Sequence, residues 1–355
     1  MKKTLIAVAA LTAAAGAFAQ STVTIFGVLD TSVAHISSGG SKVTGLSNGG
    51  LSSSRLGFRG TEDLGGGLAA GFWLEGGLAV DNGNSGGYGL ERRSTVSLSS
   101  NTFGELRLGR DKVPAYLNIE TFDPFGDTGV GGVNGSNLVG SASGAVGTAE
   151  GSGPKRASNG INYLLPAKLG GFYGQVQYAF GEQVDTPAIT NESLRDGAGF
   201  RIGYAAGPLN VALGYGQVRG GTTTADVDYR ATNIGASYNF GFVKPMVLIA
   251  TERGNGRKVE LYEVGATVPV GVGEIRAAYS MYKRKDISDA DSNRFALGYG
   301  YNLSKRTQLY ATVARVDNDD RANRGLTVSS SSLASPTIAA GRNVTGYEFG
   351  VRHSF

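Results

Sequence analysis

Alternate positions carry the apolar residues through most of this chain. In 22–35, Val23, Ile25, Leu29 and Val33 fall on one face, with Asp30 and Ser32 on the other. The stretch 54–59 sets Leu56 and Phe58 against Arg55, Gly57 and Arg59. Residues 68–77 set Ala70, Phe72 and Leu74 against Gly71, Trp73 and Glu75. The same period recurs in 172–180, 200–204, 209–215, 275–282 and 294–301, and again at the end, where Tyr347, Phe349 and Val351 oppose Glu348 and Arg352. A period of two over four to eight residues predicts half-buried strands. Counted along the chain there are about 16, each of roughly 9–11 residues.

The composition of the second face decides what kind of sheet this is. A soluble sandwich solvates its outer face with Lys, Glu and Thr. Here the polar file is rich in Gly, Ala, Ser, Asn, Gln and Arg, and the apolar file carries Tyr and Phe at the strand ends. Water inside, lipid outside and aromatic girdles between them is the pattern of an all-β, transmembrane antiparallel β-barrel. At about 16 strands the interior is an aqueous channel rather than a filled core. Connections alternate accordingly. Short turns at 62–67, 101–105, 166–171, 205–208, 269–274 and 302–306 alternate with longer polar stretches at 37–50, 81–90, 182–197, 217–229, 253–258, 284–292 and 317–341.

The first 19 residues stand apart. Lys2 and Lys3 precede an apolar run ending in Ala17-Phe18-Ala19, which reads as a cleaved secretory signal. Residues 20–355 then form a single barrel domain. Mean hydropathy is only −0.10, and no later stretch approaches the ~18 apolar residues of a spanning helix. The 57 glycines among 355 residues far exceed the usual ~7%. The net charge of +4 includes the two signal lysines, so bulk charge points to neither nucleic acid nor anionic lipid. There is no cysteine, and the only histidines are His35 and His353. No thiol chemistry is possible, and no cofactor or metal site is expected.

One segment breaks the rhythm. Residues 111–156 are too long for a simple connection and poor in alternation, yet carry Tyr116, Phe122 and Phe125 ahead of a Gly/Ser-rich tail. A loop of this length is functional or disordered, and the barrel interior is the sheltered place for its aromatics. Charges at the lipid midplane cost roughly 2–4 kcal/mol. Arg55, Arg107, Arg201, Arg276, Arg294 and Arg306, on the non-aromatic files, are therefore expected to face the lumen. Trp73 falls on the same file.

With "TIFGVLD" (24–30), "SSRLGFRGTEDLGGGLAAGFWLE" (53–75), "GELRLGR" (104–110), "FDPFGDT" (122–128), "NLSKRTQLYATVARVDN" (302–318) and the terminal Phe355, the chain resembles a Gram-negative general-diffusion porin of the trimeric proteobacterial type. The resemblance implies a homotrimer in the outer membrane, among its lipid and lipopolysaccharide, with the third loop folded into the lumen as an eyelet. It also implies a basic wall of Arg55, Arg92 and Arg156, Arg93 being the alternative to its neighbour. The acids it implies are Glu75 on the wall and Asp123 and Asp127 on the loop, although Asp-Pro and Gly-Asp read equally as turn formers. Phe355 would be the signal read by the assembly machinery. The small Ser/Thr face of 94–99 is expected to turn outward and support the trimer. The function implied is passive diffusion of small hydrophilic solutes and ions, with mild anion preference because wall arginines outnumber wall acids. The alternatives are an outer-membrane barrel enzyme and a structural or adhesive surface barrel.

Overall fold

The computed structural model describes residues 22–83, 88–134, 155–182, 184, 193–222, 225–326, 328, 333 and 336–355. The expected signal lies outside them. The chain runs as β1 (Thr22–Ser38), β2 (Ser41–Asn48), β3 (Arg55–Gly65), β4 (Leu68–Gly77), β5 (Arg93–Ser100) and β6 (Gly104–Lys112). A helix, α1 (Pro114–Phe122), follows, then β7 (Arg156–Leu164), β8 (Phe172–Ala179), β9 (Gly197–Ala206), β10 (Leu209–Thr222) and β11 (Ala225–Tyr238). The last six strands are β12 (Lys244–Gly254), β13 (Arg257–Val270), β14 (Gly273–Arg284), β15 (Ser292–Asn302), β16 (Thr307–Asn318) and β17 (Val344–Ser354).

Every neighbouring pair is antiparallel, and the sheet closes on itself. β1 pairs with β17 along Val28–Ser38. Its other edge is shared: the upper half pairs with β2 from Thr31 to Ser38, the lower half with β3 from Thr22 to Val28. β2 and β3 are thus two halves of one stave, and 17 strand segments make a 16-stave barrel. Closure leaves no sheet edge to pair with another chain. The terminal residue completes the seam, since Gly27 N donates to Phe355 O and Phe355 N to Gly27 O, both at 3.1 Å.

The expected outward file points outward. Val23, Ile25, Phe72, Ile202, Phe295, Leu297, Tyr347 and Phe349 are all exposed. Three stretches expected as long connections differ. Residues 37–50 contain β2, paired with β1 through a tight turn at Gly39-Gly40; 217–229 belongs mostly to β10 and β11; and 253–258 is the two-residue turn Asn255-Gly256 between β12 and β13. All three are strand written in polar residues, so their alternation carries no hydrophobic contrast. The face of 94–99 also differs. Val96 and Leu98 are exposed, whereas Thr95 is buried on the lumen side. Ser and Thr therefore line the interior there.

α1 begins at Pro114, which fits the first turn of a helix because its missing N–H has no intrahelical role there. The helix lies against the inner face of β8–β12. Tyr116, Ile119, Phe122 and Val133 pack on Ala212, Leu248, Ala250, Leu261 and Tyr282. The wall is hollowed to receive it. A Cβ at Gly235 would collide with the ring of Phe122, and one at Gly265 would lie 2.5 Å from Cγ of Pro124. The lumen-side core is therefore loop against wall.

Candidate functional site: a charged constriction

Behind α1, the loop is tied to the wall by polar groups. Asn233 Nδ2 donates to Ala115 O at 2.9 Å. Arg201 donates through Nε to Asn118 and through Nη2 to Thr121 Oγ1, the latter at 3.1 Å. Arg294, 2% exposed, donates to the carbonyls of Gly131 and Gly132 and pairs with Glu263 at 3.1 Å. Tyr282 Oη donates to Val133 O at 2.5 Å, and Val130 N to Glu348 Oε1 at 3.2 Å. Glu348 is thus covered by the loop instead of facing water.

Asp123 belongs to this anchoring layer. Its carboxylate accepts from Phe125 N, Asp127 N and Val133 N at 2.9, 2.7 and 2.9 Å. The side chain is buried and does not reach the open lumen. The expectation that Asp123 lines the constriction is corrected: in Asp-Pro-Phe-Gly-Asp the first carboxylate is spent on the turn's backbone donors.

The other face of the loop fronts a cavity of about 590 Å³ against β3–β7. Arg55, Arg92, Arg156, Glu75 and Asp127 all line it. Glu75 is the centre of the upper wall. Its Oε1 lies 2.7 Å from Arg92 Nε and 3.6 Å from Arg55 Nε, and its Oε2 accepts from Trp73 Nε1 at 3.0 Å. Trp73 stacks under Arg93, whose Cζ is 4.6 Å from the ring centroid. Arg55 is also held by Ser52 Oγ and Ser53 O, both at 2.9 Å, within the break of the second stave. That break is organised by Asp30, whose Oδ2 accepts from Leu51 N at 2.9 Å and Ser52 N at 2.7 Å.

Arg92 and Arg93 both line the cavity. The alternation argument assigns them to opposite faces, but β5 starts at Arg93, so Arg92 is not bound by the strand's parity. Sequence reasoning also missed Lys112, Lys155, Asp111 and Glu120 as lining groups. Arg107 sits 2.7 Å from Glu105 and 3.1 Å from Asp111, and Arg93 lies 3.9 Å from the same Asp111 oxygen. From the loop side, Glu120 on α1 pairs with Lys112 at 2.5 Å and Asp127 with Lys155 at 2.9 Å. Asp127 adopts φ 57°, the left-handed turn conformation that Asp tolerates. Burial, with Asp127 and Glu120 adding to it, pushes the Tyr116 hydroxyl far above its ordinary range, so it remains a neutral donor beside Asp127.

Among the described residues the cavity is lined by seven cations (Arg55, Arg92, Arg93, Arg107, Lys112, Lys155, Arg156) and four acids (Glu75, Asp111, Glu120, Asp127). Each acid is engaged by at least one cation. Arg156 donates through Nε to Arg92 O at 2.6 Å and has no carboxylate within ion-pair distance among the described residues. The surplus is therefore three positive charges, carried mainly by guanidiniums that stay charged at any physiological pH.

The family model of the Gram-negative porin matches residues 7–321. The chain belongs to the Gram-negative porin family. This porin is 42% identical over the full length of both chains to outer membrane porin protein 32 of Delftia acidovorans. It is 32% identical to an outer membrane porin protein of Bordetella pertussis, across 88% of this chain and 93% of that one. The solved anion-selective porin from Comamonas acidovorans superposes with a TM-score of 0.85 at 40% identity, covering 95% of this chain and all of that one. The porin is thus an outer-membrane protein whose barrel forms a channel for passive diffusion.

Proposed function

We propose that this porin is a mildly anion-selective passive pore, and that the cavity between α1 and β3–β7 is its constriction. The observation that carries the reading is the surplus of three positive charges on that lining. Rings of Arg and Lys favour anions. Arg55, Arg92, Arg93 and Arg156 make the basic wall in this reading; Glu75 spaces two of the guanidiniums, and Glu120 and Asp127 are the loop acids. The similar porin from Comamonas acidovorans is named anion-selective, which agrees with this assignment. The channel works without an enzymatic step and as a homotrimer. Phe355 serves assembly as well as closure. Reconstitution in a planar bilayer tests the reading: open, ohmic channels with anions more permeant than cations are expected. A closed barrel, or one that prefers cations, would refute it.

A further inference from the structure

The glycines of the inner wall meet the loop in two ways. At Gly235 and Gly265 a Cβ would run into Phe122 and Pro124, so the missing side chain makes room for the loop itself. At Gly197 and Gly216 it would meet no described atom closer than 3.6 and 3.5 Å. The strand register groups these two with other small residues. Gly216 of β10 stands between Gly199 of β9 and Ala231 of β11, and Gly197 of β9 stands opposite Ala179 of β8. This stretch of wall is nearly bare backbone. Between it and the first turns of α1 lies a cleft of about 90 Å³.

Val113, Pro114, Ile119 and Tyr116 form the loop side of the cleft, and Tyr229 lines it from the wall. A closed apolar cavity of ~150 Å³ takes a benzene ring. This cleft is smaller but open on one side, so a single ring enters and leaves its substituent outside. The charged groups on the lining differ in what they hold. Arg230 is taken by Asp228 at 2.9 Å. Glu252, the acid of the described lining, is buried, and Arg324 stands within its electrostatic reach. Arg195 is exposed at the open side and has no ion-pair partner among the described residues.

We propose that this cleft between α1 and β8–β12 binds small aromatic carboxylates of one ring. The ring lies between Tyr116 and Ile119 on one side and the Gly/Ala wall on the other, with Tyr229 at its edge. Aromatic rings favour such company beyond the area they bury. The carboxylate meets the guanidinium of Arg195, whose fork of donors matches its two oxygens. An uncharged ring lacks the second anchor, and a carboxylate without a ring lacks the first. The cleft is on the lumen face, out of reach of lipid chains. Tyr116 also lines the constriction, so a solute held here lies beside the permeation path.

Titration of the porin in nanodiscs with para-fluorobenzoate, followed by fluorine NMR, tests it. Saturable binding is expected. Fluoroacetate, which has no ring, and para-fluorobenzyl alcohol, which has no charge, should each bind at least about tenfold more weakly. Arg195 adopts φ 73°, a conformation that Asn tolerates. Arg195→Asn is therefore expected to weaken para-fluorobenzoate about tenfold without disturbing the turn, and Arg195→Lys to retain most of the affinity. Gly216→Ile fills the cleft and should abolish binding, whereas Arg156→Ala, in the other cavity, should leave the affinity unchanged. Binding that survives Gly216→Ile, or that is lost in Arg156→Ala, would overturn the proposal. So would equal binding of the three probes. If Gly216→Ile does not assemble, Arg195→Asn decides, and unchanged affinity there overturns the site. Binding is read without ion flow, so its failure leaves the anion preference standing, and a cation-preferring pore leaves the cleft standing.

Discussion

Glu75 holds Arg55 and Arg92 at once, and Arg156 stands beside them without an acid of its own. These two residues should pull selectivity in opposite directions. A unit charge about 8 Å from a passing ion in a water-like dielectric is worth about 0.5 kcal/mol, of opposite sign for an anion and a cation, so their permeability ratio changes by about 1 kcal/mol, or about fivefold. Arg156→Ala is therefore expected to lower the anion-to-cation permeability ratio about fivefold, and Glu75→Gln to raise it about fivefold, in bilayer recordings at low salt. At high salt both effects shrink as screening tightens. Alternation puts Arg55 and Glu75 on the polar face, while Arg92 and Arg156 were legible only through the resemblance to porins. Asp123, ahead of a proline, reads as a turn former as well as an eyelet acid, and the structure takes the turn: its oxygens accept from the Phe125, Asp127 and Val133 N–H groups, while Glu120, one helical turn earlier, lines the cavity and has no such sequence signal.

At the scale of the element, α1 and the turn after it behave as an insert seated in a prepared socket. The helix was hidden from sequence because the residues from Pro114 to Phe122 have neither strand alternation nor a free apolar stripe. Their apolar side chains meet glycines and alanines on a wall that folds far from them in sequence. The divided second stave was hidden for a related reason. β2 is polar on both faces, so only its pairing with β1 reveals it. The outward files of the other strands were plain, since lipid demands apolar side chains at every second position. The socket makes a direct prediction. Gly235→Val places methyl groups where the Phe122 ring sits and pushes α1 toward the lumen. Single-channel conductance should fall while the preferred ion stays the same. Unchanged conductance would mean that α1 does not bound the narrow part of the channel.

For the whole molecule, closure of the barrel ends at one residue. Phe355 makes two backbone hydrogen bonds to Gly27, and its ring covers the place where a Cβ on Gly27 would stand. Deleting it removes the last rung of the seam between β1 and β17. The deletion should lower the amount of assembled, heat-modifiable barrel in the outer membrane, read on unheated gels, while channels that do assemble keep their ion preference. The central claim concerns the charge of the lumen. Reversal potential across a planar bilayer with a tenfold KCl gradient tests it most directly. The surplus of positive charge at the constriction predicts a potential of the sign set by chloride, with chloride more permeant than potassium. A potential of the opposite sign, with potassium more permeant, would contradict it.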